Sequence, residues 1–307
     1  MSLERCLADL SDEDKRVPSS SLADLSDLSP EGLELFQAAW ARMRVARQRQ
    51  IISKLVELAE ENPSLNFDDI FRACLQDPDE TVRVKAIEGL WECENRTLIA
   101  PLIALLREDN KESVRAAAAL ALGRFALLAE LEKLRPEDGE RLQEALLSAI
   151  DDQGEQPEVR RRAIEAIAPL SLTKVKDIIR QAYTSDDAKM RVSALYAMGR
   201  NCDPAWLPTL VKELGSQDAE MRFEAAVACG ELGDEQVVPH LVRLTSDVDS
   251  QVQLSAIAAL GQLGGGEAQE ALRGCLEHPD EHVRQMAKEA LEEADLERES
   301  TPFDFGP

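Results

Sequence analysis

Between about residues 67 and 295, apolar positions three and four apart alternate with short polar runs, a spacing that puts one face of an α-helix into a core. The pattern recurs in register. A Val or Met followed by Arg stands at Val82-Arg83, Val114-Arg115, Val159-Arg160, Met190-Arg191, Met221-Arg222 and Val283-Arg284, with Val252-Gln253 in the same series; from Arg160 to Arg284 the step is 31 residues. Three residues after each comes alanine, at Ala86, Ala118, Ala163, Ala194, Ala225, Ala256 and Ala287, and three further on a second small residue such as Ala197, Ala228 or Ala259. A period of this length with helical spacing inside it predicts a stack of identical units, each burying its apolar face against its neighbours. The expected fold is all-α: an α-solenoid of about seven tandem two-helix repeats.

Within a repeat, a short first helix is predicted at Leu98–Leu106, Trp206–Leu214, Val237–Leu244 and Ala268–Leu276, followed by a polar turn and a second helix through Val-Arg-x-x-Ala-x-x-Ala-Leu. Asp77-Pro78-Asp79-Glu80 predicts a helix start with Asp77 as N-cap, Pro at the first position and Glu at the third. Gly123, Gly199, Gly230 and Gly261 predict where second helices stop. The interval from Arg115 to Arg160 is 45 residues, 14 more than the later step. The surplus, at about residues 126–154, is expected as an insertion that projects from one edge and offers a contact element.

The flanks divide at composition changes. Residues 1–29 read as a flexible acidic arm, residues 30–66 as a helical N-terminal cap, 67–295 as the repeat array and 296–307 as an acidic tail with Phe303 and Phe305. The arm holds the hexapeptide Leu-Ala-Asp-Leu-Ser-Asp twice, at Leu7–Asp12 and Leu22–Asp27. Two readings stand: a duplicated linear motif that places leucines in a groove, or chance similarity in a biased segment.

Charge narrows the function. There are 59 acidic against 35 basic residues, a net charge of -24, which opposes nucleic-acid binding, where clustered positive charge is needed. One stretch, Arg42, Arg44, Arg47, Arg49 and Lys54, is basic; it reads either as a solvated helix face or as a docking patch for an acidic partner, the chain's own tail included. The six cysteines show no metal-ligand spacing and fit free thiols in a reducing compartment. With no apolar leader and no membrane-length run, a cytoplasmic location is expected. His278 and His282 lie four apart beside carboxylates, but His278 precedes Pro279 outside the helix, so the pair reads as a solvated turn and no metal site is expected. Gly264-Gly265-Gly266 follows a helix rather than a strand and reads as a loop.

These residues resemble the HEAT-repeat family, in particular the bacterial lyase-type HEAT-like repeats, over about residues 67–294. Two further features carry the resemblance: a proline inside the first helix (Pro101, Pro208, Pro239), and an Asp six residues before the Arg, which in the family forms a ladder along the stack. That Asp is present at Asp77, Asp109 and Asp247, but Gly154, Ser185, Ser216 and His278 replace it elsewhere, and Asp247 precedes Gln253 instead of Arg. The resemblance implies a scaffold or adaptor, with the concave face lined by second helices. The expected protein is a non-catalytic monomer without cofactor that binds a peptide or helix of another protein on that face, with no nucleic acid or membrane as partner.

Positions one and five after the Arg point away from the core and supply the candidate contacts. They are Val192 and Tyr196, Phe223 and Val227, then Leu254 and Ala258, with Arg162, Arg200 and Lys85 as flanking charges. The opposing reading packs these groups against adjacent repeats. Catalytic relatives fit less well: deoxyhypusine hydroxylases carry repeated His-Glu pairs, whereas this chain has three histidines and no His-Glu. The competing function is a bilin-lyase-like or other enzyme accessory protein holding a cofactor in the same groove.

Overall fold

The computed structural model describes residues 2–12 and 14–300, the last six of these as backbone only. The tail with Phe303 and Phe305 lies outside the described residues. Every regular element among them is helical, and contacts group the chain into two compact units, Met1–Ala166 and Ile167–Pro307.

In the first unit α1 (Leu3–Ser11) and α2 (Ser19–Ala23) precede the cap helices α3 (Pro30–Trp40) and α4 (Val45–Glu61). Repeat pairs follow: α5 (Asp68–Cys74) with α6 (Glu80–Gly89), α7 (Ile99–Glu108) with α8 (Glu112–Glu130), and α9 (Pro136–Asp151) with α10 (Pro157–Ile167), which ends at the unit boundary. The second unit has α11 (Thr173–Tyr183) with α12 (Ala188–Asn201), α13 (Leu207–Glu213) with α14 (Ala219–Leu232), α15 (Val238–Leu244) with α16 (Ser250–Leu263), and α17 (Gly265–Cys275) with α18 (Glu281–Ser300). The fold is an all-α solenoid of two-helix repeats.

Second helices pack side by side in sequence order, α12 on α14, α14 on α16 and α16 on α18. The alanine rows allow this. Ala194, Ala225, Ala256 and Ala287 are each fully buried, and small side chains there set a short distance between helix axes. The glycines belong to the same contact, which corrects their reading as stops: α12, α14 and α16 run on past Gly199, Gly230 and Gly261. A Cβ on Gly199 would stand 2.8 Å from Ala228 Cα, one on Gly230 3.1 Å from Ala259 Cα, and one on Gly261 2.8 Å from Ala290 Cβ. The real stop after α14 is Gly233 in the left-handed region, and after α12 it is Cys202 at φ 51°, 31 residues earlier.

Helix starts also move. The N-cap of α6 is Asp79, whose carboxylate accepts the Val82 N–H at 3.2 Å, and Asp187, Asp218 and Asp249 cap α12, α14 and α16 in the same way. Asp77 is committed elsewhere, accepting from Trp40 Nε1 at 2.7 Å and from the Asp79 N–H at 2.9 Å. Pro208 and Pro239 lie in the first turn of α13 and α15, each directly after a 3₁₀ turn. A missing N–H costs nothing at that junction.

The Arg–Asp ladder connects successive repeats where both partners exist. Arg83 grips Asp109 of the next repeat through two bonds of 2.8 and 2.9 Å, and Arg222 grips Asp247 at 2.8 Å through each of two nitrogens. Asp247 therefore serves the preceding arginine, and Gln253 in its own repeat is not its partner. Where Gly154 leaves a gap, Glu155 fills it, accepting from Arg115 at 2.9 and 2.7 Å. Without a carboxylate the arginine keeps a second role: Arg191 donates to Ser185 O at 2.9 Å and Arg284 to His278 O at 2.7 Å, closing the turn before the helix.

The surplus at 126–154 does not project. It lengthens α8 and supplies α9, whose Leu142, Ala145, Leu146 and Ile150 are buried. The N-terminal segment is also more ordered than its composition suggests. Helices α1 and α2 and the turn after α2 bury Leu7, Leu10, Leu22 and Leu25, all at 4% exposure or less.

Candidate functional site

The second helices of the second unit each place a strip of side chains on the face turned away from their first helices. Taking the ladder arginine as position 0, positions −2, +1, +5 and +9 fall within 80° of one another around the helix. On α14 these are Glu220, Phe223, Val227 and Glu231; on α12, Lys189, Val192, Tyr196 and Arg200; on α16, Gln251, Leu254, Ala258 and Gln262. Burial follows this frame. Met221, Ala225, Ala228 and Cys229 on the opposite side of α14 are buried, while Phe223 and Val227 are half-buried.

Val192, Tyr196, Phe223, Val227 and Leu254 are thus neither sealed in the core nor fully exposed. Because α12, α14 and α16 lie side by side, the five residues sit on consecutive helices and form one apolar strip. Glu220, Lys189 and Gln251 border it at one end, all exposed. Arg200 borders it at the other, donating to Glu231 Oε1 at 3.3 Å. Burial pushes the Glu231 carboxyl above its ordinary range, and the Arg200 guanidinium offsets part of that rise.

The second predicted cation belongs to the other unit. Arg162 lies on α10 in the first unit and already holds two carboxylates of its own helix, Glu158 Oε1 at 2.9 Å and Glu165 Oε2 at 2.8 Å. Lys85 is likewise paired, with Glu88 at 2.7 Å. These charges are partnered inside the protein.

The periodic pattern misses Trp91, which is 52% exposed. It follows the end of α6 at the position where later repeats carry Gly199, Gly230 and Gly261, so the helical frame does not predict its direction. A tryptophan in a glycine position was the available signal. Leu120 on α8, at position +5, is 44% exposed.

No three His, Cys, Asp or Glu side chains gather as a metal site among the described residues, His278 and His282 included. The His278 ring accepts the Asp280 N–H at 3.1 Å, and Asp280 in turn accepts the His282 N–H at 2.8 Å, the geometry of a capped turn. Among the described residues no helix is long and apolar enough to cross a membrane.

Comparison with known proteins agrees with this architecture. No curated protein matches the chain in sequence. Among solved structures it is similar to yeast importin-β (Kap95p), at 14% identity and a TM-score of 0.53 over 95% of this chain and 46% of that one, so the chain spans under half of importin-β. It is also similar to YibA of E. coli (18% identity, TM-score 0.44, 77% of this chain and 96% of that one). Human deoxyhypusine hydroxylase matches at 18% identity and a TM-score of 0.38 over 96% of each chain. HEAT repeats are matched over residues 69–150, 175–261 and 241–303, more than half of the sequence. With its two-helix repeats and alanine-lined stack, the chain belongs to the HEAT-repeat family.

Proposed function

We propose that this protein is a non-catalytic scaffold or adaptor that binds a peptide or helix of another protein across α12, α14 and α16. The observation that carries this reading is the apolar strip of Val192, Tyr196, Phe223, Val227 and Leu254, which stays half-exposed while the apolar side chains on the opposite face of the same helices, such as Met190, Ala194, Met221, Ala225, Val252 and Ala256, are buried. In the HEAT family this is the concave side. A row of apolar groups with aromatic anchors and a charged border is the composition of an interface core with its rim. A docked helix would bury Phe223 and Tyr196 further, each contributing about 1–2 kcal/mol by area removed from water.

Charge acts at the border. Arg200 contacts a partner carboxylate by exchanging Glu231 for it, whereas Arg162, in the first unit, is held by Glu158 and Glu165 of its own helix. The net charge of -24 disfavours acidic partners at long range and speeds encounter with basic ones.

The test is affinity capture of the full chain from its native cell extract, with a Phe223→Ala/Leu254→Asp variant as control. The strip requires that a partner held by the wild type be lost by the variant, at unchanged melting temperature. Equal capture by both proteins would show the strip to be packing alone, and a coloured eluate would turn the assignment toward a bound cofactor.

A further inference from the structure

The apolar strip of the second unit borders a fourth helix, where apolar groups give way to carboxylates. Helix α18 packs beside α16 as α16 does beside α14, and with Arg284 at position 0 its outward residues are His282, Gln285, Glu289 and Glu293, all exposed. At position +5 the side chain shrinks from Tyr196 through Val227 to Ala258 and then becomes Glu289, while at +1 Val192, Phe223 and Leu254 give way to Gln285. The apolar floor thus ends on α16, and beyond it Glu289 and Glu293 stand one helical turn apart.

The other end of the strip is cationic. Positions −2 and +9 are Lys189 and Arg200 on α12, Glu220 and Glu231 on α14, and the neutral pair Gln251 and Gln262 on α16. Arg200 shares its charge with Glu231. Among the described residues no ion pair engages Lys189, Glu289 or Glu293; Glu289 accepts a neutral bond from Gln285 Nε2 at 2.7 Å, and Lys288 on the flank of α18 goes to Glu292. Helix α10 shows the contrary arrangement, in which Glu158 and Glu165 satisfy Arg161 and Arg162 within one helix. The strip therefore runs from uncompensated positive charge on α12 to uncompensated negative charge on α18.

Spacing selects the shape of what fits. Positions −2 and +9 lie about 16 Å apart along each helix, and one α-helix with its side chains is about 10–12 Å across, so the two rows border a track one helix wide. Neighbouring second helices stand about 8–10 Å apart, close to the rise of about 10 Å over seven residues of a helix laid across them. An extended segment repeats its inward side chains about every 6–7 Å and falls out of step. We infer that the strip takes an amphipathic α-helix of another protein whose apolar face carries Asp or Glu where it crosses α12 and Lys or Arg where it crosses α18. This rests on the reading of the strip as a binding surface and adds the partner's chemistry and direction. Ala258, the smallest of its row, leaves room for the largest apolar side chain of the docked helix, one heptad from its basic end. The reversed placement sets like charges together at both ends, which opposes it.

The test uses the full chain as bait for a phage-displayed library of peptides about 22 residues long, the span of four second helices. Leucines are fixed three and four apart in the middle, and both end heptads are randomised among Leu, Lys, Glu and Gln. Selected peptides are expected to carry Lys at one end and Glu at the other. In fluorescence anisotropy at low salt they are expected to bind at least tenfold more weakly to a Glu289→Lys/Glu293→Lys chain that melts as the wild type does, and exchanging Lys for Glu at the basic end of the peptide is expected to restore that binding. Lys189→Glu is expected to cost at least threefold through the opposite end. Selected peptides that depend on Phe223 but show no charge bias, or that bind the reversed chain equally well, would overturn this inference and leave the strip standing as a binding surface. Retained binding after a proline is placed in mid-peptide would overturn the helical occupant. No enrichment on the wild type over a Phe223→Ala/Leu254→Asp bait would overturn both the strip and its partner.

Discussion

Arg222 and Asp247 join two repeats through a pair of short bonds at a site where both side chains are about nine-tenths buried. Such a pair is worth more than a surface ion pair because geometry is two-pronged and water is mostly excluded. The bond from Arg222 holds the Asp247 carboxyl below its ordinary range, as the bond from Arg49 does for Asp79. A carboxylate depressed in the folded state contributes stability that is complete above its unfolded value and is lost as pH falls through its folded value. Melting temperature is therefore expected to change little from these groups down to about pH 5 and to drop below about pH 4. Asp247→Asn is expected to cost about 2 kcal/mol at neutral pH and to flatten the acid limb of that curve, read by thermal denaturation at both pH values. Cys202 makes a smaller point. A left-handed non-glycine residue is strained by about 1–2 kcal/mol, and glycine costs roughly 0.5–1 kcal/mol in unfolded-chain entropy, so Cys202→Gly is expected to stabilise by about 0.5 kcal/mol.

Helix packing depends on what the glycines admit. Gly199→Ala gains about 1 kcal/mol of helix propensity but sets its Cβ against the backbone of α14, and overpacking of that kind costs about 1–3 kcal/mol or more. Net destabilisation is expected. Gly274 on α17 has nothing within 4 Å of an added Cβ, so Gly274→Ala is expected to stabilise by about 0.5 kcal/mol; urea unfolding of the two variants should give opposite signs. The same comparison shows why these elements were only partly readable from sequence. A glycine near the end of an apolar run marks either a stop or a close contact, and the distinction rests on Ala228, Ala259 and Ala290 in the following repeats. Asp77 and Asp79 posed a similar choice, decided by Trp40, which lies 37 residues before Asp77 and takes its carboxylate.

At the scale of the molecule the repeat carried most of the information. A period of 31 residues with alanines at fixed offsets specifies paired helices and their stacking order, because each repeat meets only its neighbours. The strip Val192, Tyr196, Phe223, Val227 and Leu254 was readable as a helical face, and the structure places those side chains on adjacent helices. The pairing of Arg162 and Arg200 with nearby carboxylates was not readable, since several glutamates lie at permitted spacings and only the folded geometry selects among them. The N-terminal arm was obscured by its polar composition, which hides four inward leucines. Net charge acts on the whole chain: at -24 the surface repels itself, and added salt screens long-range repulsion more than the buried ladder pairs. The melting temperature is expected to rise by a few degrees between about 20 and 200 mM sodium chloride.

The most direct measurement is hydroxyl-radical footprinting of the protein alone and with a captured partner, read at Tyr196 and Phe223. Both rings are half-exposed in the free chain. Reduced labelling of both rings in the complex is the result predicted for a partner lying across α12 and α14. Unchanged labelling there, with protection appearing elsewhere on the chain, would contradict the account.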